Sequence, residues 1–382
     1  MTPIDSKLPR VGTTIFTLMS QLAEQHRAVN LSQGFPNFLP PAELLEQVER
    51  ALRGNFHQYA LMVGSMALRT AIAGKLAALY SVKVDPVAEI TVTSGATEAI
   101  FDAIQAVVRR DDEVIVFDPC YDSYEPSITL AGGRTVHLPL TQPGFAIDWE
   151  RLRAALCSRT RLVIVNSPHN PSGALLKRAD FDRLAELLRP YDCYVLSDEV
   201  YEHVVFDGAR HATALAQPEL AQRCFAVFSF GKTYHATGWK LGYCVAPAAL
   251  SAELRRVHQY VTFASTSPLQ QALAEYMTAH PEHHLELPAF YQERRDYFAG
   301  LLAGTKFRAL PAAGTYFQLA DYSAISTLPD VEFARWLTIE HGVATIPVSV
   351  FYEQPPDARL VRFCFAKENA TLDAAAERLR RL

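Results

Sequence analysis

The stretch SFGKTYHATGWKLGY, residues 229–243, decides the predicted fold, and it begins directly after an apolar run at residues 225–228. Lys232 lies just past that run. Lysine side chains are rarely buried without a task, and a lysine in such a place loses proton affinity and becomes a nucleophile towards a carbonyl carbon. Residues 231–233, GKT, also resemble the end of a nucleotide-binding P-loop, but that motif needs a glycine where Ala226 stands. The stretch therefore indicates a nucleophilic lysine at the end of a buried strand.

Around this stretch, short apolar runs alternate with helical patterns. Several runs are nearly continuous, as expected for strands whose two faces are both covered. The predicted strands are residues 89–93, 114–117, 135–138, 162–165, 194–197, 225–228 and 241–245. Residues 97–109 and 179–188 show helical spacing between them. The alternation predicts an α/β domain with a mostly parallel, seven-stranded sheet.

The pattern changes towards both ends of the chain. It is irregular and proline-rich before about residue 45, and after about residue 280 Pro281 and Pro288 interrupt it while helix and strand signals mix. We expect a large α/β domain at residues 46–280. A smaller α+β domain is expected to combine residues 1–45 with residues 281–382, and a chain of 382 residues has room for both.

Composition excludes several classes of protein. The net charge is -5 and no basic patch stands out, which argues against nucleic-acid binding. The chain has no run of 18 apolar residues and no secretory signal pattern, so we expect neither a membrane segment nor export. Six cysteines are spread singly, without metal or disulfide spacing, which favours free thiols in the cytoplasm.

Polar residues follow the predicted strands, where ligands bind in open α/β sheets. Residues 94–97, SGAT, form a turn at a helix start that suits a phosphate, although these residues by themselves favour an ordinary helix cap. Tyr121 offers an aromatic face and Asn170 an amide donor. Asp198 ends a buried strand, where a carboxylate needs a cation or a donor. His169 has no second residue at ligand spacing, so no metal site is predicted.

Together, these residues match the needs of pyridoxal 5'-phosphate. That cofactor presents a phosphate, a flat ring, a phenolic oxygen, a pyridine nitrogen and an aldehyde. A protein that uses it supplies a lysine for a Schiff base and a partner for the pyridine nitrogen. Lys232 and Asp198 are the residues of the required types.

At this point the chain resembles the fold-type I, class I/II aminotransferases, from about residue 31 to about residue 372. It looks most like the branch that contains kynurenine/glutamine transaminases and bacterial methionine/aromatic aminotransferases. Besides residues 229–243, the resemblance rests on LSQGFPNF from Leu31, NSPHNPSG from Asn166, SDEVYEH from Ser197 and VRFCFAK from Val361. It implies a fold-type I transferase, a large domain with a smaller α+β domain, and pyridoxal phosphate as cofactor.

The resemblance implies roles around the cofactor ring and the reacting atoms. Lys232 would form the Schiff base, and Asp198 would pair with the pyridine nitrogen. Asn170 and Tyr201 would hydrogen-bond the phenolic oxygen, while Tyr121 would stack on the ring. Lys232, Asp198 and Tyr201 are the expected catalytic residues.

The resemblance also implies the phosphate and substrate sites. The residues expected to hold the phosphate are Ser94, Gly95, Ala96, Ser229 and Lys240. Many relatives have arginine where Lys240 stands, but a lysine also serves a phosphate. Tyr59 would reach the phosphate of the partner subunit, which implies a homodimer with shared active sites. Arg362 would clamp the substrate carboxylate, helped by Gly34 and Asn170. As alternatives, Arg362 is a structural ion pair, Tyr59 an ordinary core or interface residue and Lys240 a surface lysine.

The implied activity is transfer of an amino group from an L-amino acid to a 2-oxo acid with ping-pong kinetics. The branch implies neutral donors such as methionine, aromatic amino acids, glutamine or kynurenine. Aromatic residues in the segment 259–263, with Phe16 and Phe35, are expected near the side-chain pocket. One alternative is a C–S β-lyase on the same fold. A remote alternative is a regulatory protein that senses pyridoxal phosphate.

Overall fold

The protein is described by a computed structural model that covers residues 5–382. The helices are α1 (Ile15–Gln25), α2 (Ala42–Arg53), α3 (Met66–Tyr80), α4 (Ala96–Val107), α5 (Tyr124–Ala131), α6 (Trp149–Ala155), α7 (Arg178–Leu188), α8 (Pro218–Ala221), α9 (Phe230–Thr233), α10 (Ala248–Val261), α11 (Ser267–Ala279), α12 (His283–Ala303), α13 (Asp330–His341) and α14 (Asn369–Leu379). The strands are β1 (Val29–Asn30), β2 (Ile90–Thr93), β3 (Glu113–Asp118), β4 (Arg134–Pro139), β5 (Thr160–Asn166), β6 (Tyr194–Asp198), β7 (Cys224–Ser229), β8 (Gly242–Val245), β9 (Arg308–Ala309), β10 (Phe317–Asp321), β11 (Val343–Ala344), β12 (Ile346–Pro347) and β13 (Leu360–Cys364).

A seven-stranded sheet with the order β2-β8-β7-β6-β5-β3-β4 forms the centre of the molecule. Strands β3 to β7 run parallel, whereas β8 is antiparallel to both of its neighbours. All seven predicted strands are present, each within two residues of the predicted bounds. Every residue of β2, β3 and β8 is buried, because helices cover both faces of the sheet. The predicted α/β class with a mostly parallel sheet is confirmed.

A second hydrophobic core lies around a smaller antiparallel sheet of order β12-β13-β10-β9. Its buried members include Leu31 from the N-terminal part and Phe298, Phe363 and Leu379 from the C-terminal part. β1 also pairs with β11 in a separate two-stranded sheet, which joins the N-terminal and C-terminal parts of the chain. The domain boundaries at residues 45 and 280 stay a prediction.

The expectation that Pro288 interrupts the pattern is wrong. α12 continues through Pro288 for 21 residues, from His283 to Ala303. A proline removes one helical hydrogen bond, but Leu287, Tyr291 and Phe298 of this helix are buried. Their packing stabilises the helix on both sides of the proline.

Within residues 5–382, no helix combines the length and the apolar character needed to cross a membrane.

Candidate active site

A cavity of about 230 Å³ lies at the carboxyl ends of the parallel strands. It lies where the second core approaches the large sheet, so both parts of the fold contribute side chains. The residues around it are Phe16, Gln33, Gly34, Gly95, Ala96, Thr97, Ile100, Tyr121, Asn166, Asn170, Asp198, Val200, Tyr201, Ser229, Gly231, Lys232, Thr237, Lys240, Leu241, Phe317 and Arg362.

Lys232 projects into this cavity from the short helix α9 that follows β7. Its Nζ donates to the Tyr316 hydroxyl at 2.7 Å and to the carbonyl oxygen of Gly34 at 3.0 Å. Burial lowers the pKa of Lys232 to about 8, and the positive charges of Arg362 and Lys240 act in the same direction. The amine is therefore much closer to its neutral, nucleophilic form at neutral pH than an exposed lysine.

Asp198 is the last residue of β6 and is buried. The Tyr124 hydroxyl donates to its Oδ2 at 2.6 Å, and the backbone N–H of Val200 faces its Oδ1 at 3.4 Å. Burial raises the pKa of Asp198 to about 6, because these donors only partly offset the loss of solvent. A buried carboxylate of this kind is suited to a ligand that brings a positive charge.

A helix start and a cation form the opposite end of the cavity. α4 begins at Ala96, and the preceding Gly95 has a φ of 86°, which favours glycine. A methyl group at Gly95 would meet Nζ of Lys240 at 3.5 Å, so the ammonium group lies beside the turn. The free N–H groups of the first helical turn and the lysine charge together suit an anion, such as a phosphate.

Arg362 lies in the middle of β13 and is 1% exposed. Its Nη1 donates to Oδ1 of Asn170 at 2.8 Å, and its Nη2 donates to the carbonyl oxygen of Ser32 at 3.1 Å. The guanidinium carbon lies 3.8 Å from the centroid of the Phe317 ring. Nε has no partner among the described residues. A buried guanidinium with an unused donor is suited to bind a carboxylate.

Comparison with known proteins decides the family. Residues 26–379 match the model of the family described as aminotransferase class I and II. A methionine aminotransferase of Escherichia coli is 55% identical over 99% of this chain and 98% of its own length. The kynurenine–oxoglutarate transaminase 1 of Mus musculus is 34% identical over 94% of this chain and 93% of its own. The chain belongs to the class I and II aminotransferases.

A solved structure supports the same family. The crystal structure of YbdL from Escherichia coli, described as having a methionine aminotransferase function, superposes with a TM-score of 0.98. It shares 54% identity with this aminotransferase, and the match covers all of both chains. The predicted family and the fold-type I architecture are confirmed.

The family implies pyridoxal phosphate, and the cavity of this aminotransferase fits that group. Lys232 supplies an amine, and Asp198 a buried carboxylate that accepts a hydrogen bond from Tyr124. Gly95 keeps space beside Lys240 that a side chain would fill. Val200 and Tyr121 add an apolar and an aromatic surface to the lining. An amine, a carboxylate, a flat apolar slot and an anion site are the groups that the cofactor needs.

Most of the predicted site residues of the aminotransferase lie around the cavity. They are Gly34, Gly95, Ala96, Tyr121, Asn170, Asp198, Tyr201, Ser229, Lys232, Lys240 and Arg362. Ser94 does not line it; its backbone N–H donates to Glu98 and its Oγ pairs with Oγ of Ser265. Tyr59 lies on the surface, where it is 82% exposed and packs edge-on against Phe263. The roles of these residues stay predictions.

The sequence prediction missed two tyrosines that contact the central groups of the aminotransferase site. Tyr124 hydrogen-bonds Asp198, and Tyr316 hydrogen-bonds Lys232 and, at 2.6 Å, the carbonyl oxygen of Gly34. Tyr124 begins α5, three residues after the predicted site residue Tyr121, and this closeness in sequence is a usable signal. Tyr316 is 84 residues from Lys232 in sequence, and no local pattern relates them.

Proposed function

We propose that this aminotransferase moves the amino group of an L-amino acid with a neutral side chain to a 2-oxo acid, with pyridoxal phosphate as cofactor. The observation that carries the proposal is the convergence of Lys232, Asp198 and Arg362 on one cavity. The E. coli relative is named a methionine aminotransferase, and this name supports methionine as the donor. Aromatic amino acids, glutamine and kynurenine are further donors of the same type.

Residues from both ends of the cavity would hold the cofactor. Ser229, Lys240 and the turn at Gly95 and Ala96 would bind its phosphate. Asn170 and Tyr201 would hydrogen-bond the ring oxygen, Tyr121 would stack on the ring, and Asp198 would pair with the ring nitrogen. When bound, pyridoxal phosphate supplies the electron sink for the substrate carbanion.

Lys232 moves the proton of the reaction. Its amine takes the proton from the α-carbon of the substrate and returns it at the end of the half-reaction. Burial supports this role, because it lowers the pKa of Lys232 to about 8 and leaves a usable fraction of neutral amine. The enzyme keeps the amino group of the first substrate until a second substrate, a 2-oxo acid, accepts it. The kinetics are therefore ping-pong.

Arg362 binds the α-carboxylate of the substrate through its guanidinium group. The part of the cavity proposed to hold the substrate side chain is apolar. Phe16 and Phe317 line it, and the ring centroid of Phe351 lies 5.9 Å from that of Phe16. Among the described residues, Arg362 is the single arginine of that lining. An acidic substrate side chain therefore lacks a second guanidinium partner, which favours neutral donors.

A homodimer completes the proposed function. Tyr59 is exposed together with Leu61, Tyr260, Val261 and Phe263, and such an apolar patch indicates an interface. In the proposed dimer, Tyr59 reaches the cofactor phosphate of the partner subunit. Sedimentation that gave the mass of a single chain, 42.5 kDa, would contradict this. The separate spacing of the six cysteines favours a cytoplasmic location.

The first experiment follows the absorbance of the purified protein with pyridoxal phosphate as L-methionine is added. We expect a visible cofactor band that moves towards the ultraviolet while a 2-oxo acid is released, and Lys232→Ala serves as the control without the reaction. A band that persists while cystathionine gives pyruvate and ammonia would favour the C–S lyase instead. Failure to bind the cofactor would refute the proposal.

A further inference from the structure

A buried polar cluster behind the phosphate end of the cavity is used by no step described so far. It consists of Glu98 and Asp102 on α4 and His258 on α10, and His258 is 0% exposed. Its Nδ1 lies 2.7 Å from Oε1 of Glu98, and its Nε2 lies 2.9 Å from the carbonyl oxygen of Met62.

These contacts determine the protonation of His258. A carbonyl oxygen only accepts hydrogen bonds, so Nε2 carries a proton. Nδ1 faces the carboxylate of Glu98, whose pKa lies below its usual value despite burial, because His258 and other donors stabilise the charged form. Nδ1 therefore carries a proton as well, and His258 is an imidazolium cation. The contacts with Asp102 and Glu98 raise the pKa of His258 to about 9, against the opposing effect of burial.

Asp102 is the remaining member of the cluster. Its Oδ2 lies 3.6 Å from Nδ1 of His258, and neither carboxylate oxygen has a hydrogen-bond partner among the described residues. Ligand atoms of all three residues lie within 4.8 Å of one another, as in a metal site. The 2.7 Å separation between His258 and Glu98 is that of a charge-assisted hydrogen bond. It leaves no room for an ion between the two atoms, so a proton is favoured over a metal.

The cluster connects two segments that the proposed function uses. Oε2 of Glu98 accepts the backbone N–H of Ser94, directly before Gly95 and the start of α4. Met62, on the other side of His258, lies in the loop that carries Tyr59. One buried cation thus fixes the turn of its own subunit and the loop that presents Tyr59.

We propose that His258 is a positioning residue for the cofactor phosphate: as a lasting buried cation it orients Glu98, which holds the backbone at Ser94 so that the following N–H groups face the phosphate. This inference rests on the proposed function, since it takes the turn at Gly95 and Ala96 as the phosphate site. His258 itself contacts neither substrate nor cofactor.

The test compares two ligands that differ only in the phosphate. Dissociation constants of pyridoxal phosphate and of pyridoxal are measured on the full-length apoprotein by the absorbance of the bound cofactor. Loss of a buried charged hydrogen bond predicts binding of pyridoxal phosphate about tenfold or more weaker in His258→Gln, with pyridoxal changed less than about twofold. The exposed His26→Gln is the control and is expected to match the wild type for both ligands.

A second variant covers the case that His258→Gln does not fold. In Glu98→Gln the amide meets two N–H donors, Ser94 and His258, and its single oxygen accepts from only one side at a time. The same selective loss of phosphate affinity is expected. Equal weakening of both ligands in every folded variant would overturn the inference. Wild-type protein that binds neither ligand would instead overturn the proposed function.

The charge of His258 is tested on the unmutated protein. Nitrogen-15 NMR of histidine-labelled protein should show one ring with both nitrogens protonated up to about pH 8, and this signal should be absent in His258→Gln. A ring with a single protonated nitrogen at pH 7, or a stoichiometric metal ion lost on substitution of His258, would overturn the inference.

Discussion

At the scale of single residues, Lys232 is kept reactive by where it lies. Its Nζ has two oxygen partners but no carboxylate partner, and burial lowers its pKa to about 8. Because only the neutral amine attacks an aldehyde, we expect the rate of pyridoxal phosphate uptake by the apoprotein to rise with pH and to level off above about pH 8. Stopped-flow absorbance from pH 6 to pH 10 measures this. A rate that continued to rise towards the pKa of an exposed lysine would contradict it.

Burial of Asp198 lowers the free energy of unfolding of the apoprotein, because this carboxylate has no cationic partner among the described residues. Its pKa is raised to about 6, so the folded apoprotein releases this proton at a higher pH than the unfolded chain. The free energy of unfolding therefore falls as pH rises from about 4 to about 6 and stays lower above that range. We expect Asp198→Asn to stabilise the apoprotein at pH 7 by roughly 1–3 kcal/mol and to weaken cofactor binding.

Thermal unfolding with and without pyridoxal phosphate measures both effects of Asp198→Asn. The variant should unfold at a higher temperature than the wild type when the cofactor is absent, and it should gain less when the cofactor is added. Asp182→Asn, on an exposed face of α7, is the matched control and should leave both temperatures unchanged.

At the scale of elements, α4 and α10 are joined by the ion pair of Glu98 and His258, and this contact depends on pH. The pKa of His258 is raised to about 9, above the value of about 6.5 for an unfolded histidine. Its contribution to stability is complete below about pH 6.5 and is lost as pH rises through about 9. The difference in unfolding free energy between wild type and His258→Gln should therefore shrink by roughly 1–3 kcal/mol from pH 6.5 to pH 9.5.

Urea denaturation at the two pH values measures that change. His26→Gln removes an exposed histidine and should show no such dependence relative to the wild type. If the difference in unfolding free energy between wild type and His258→Gln were equal at both pH values, His258 would be neutral in the folded protein at both, which would contradict the prediction.

The elements themselves were predictable where burial leaves a simple pattern. β3, β5 and β7 are buried on both faces and appear in the sequence as unbroken apolar runs. α12 was not predictable in the same way, because Pro288 is a helix breaker by itself. Its tolerance depends on packing between residues distant in sequence, which a local pattern does not contain.

At the scale of the whole molecule, the position of the site was predictable from the residues that stand at the ends of the predicted strands. Asp198 ends β6 and Lys232 follows β7, so the rule that ligands lie at carboxyl ends of parallel strands places them together. Arg362 lies within the antiparallel strand β13, and Gly34 follows the short strand β1 outside the large sheet. The family resemblance predicts their places. The smaller sheet brings Arg362 to the cavity, and hydrogen bonds from Lys232 and Tyr316 to its carbonyl oxygen hold Gly34 there.

The order of strands in the large sheet also limits when this site comes into being. The turn proposed to bind the phosphate follows β2, but β2 is an edge strand whose one neighbour in the sheet is β8, residues 242–245. A methyl group at Gly242 would lie 2.8 Å from the backbone nitrogen of Ala96, so β8 also forms the support of that turn. During synthesis on the ribosome, the first half of the chain therefore carries an unsupported phosphate turn, and the cofactor has a place to bind only after β8 has emerged.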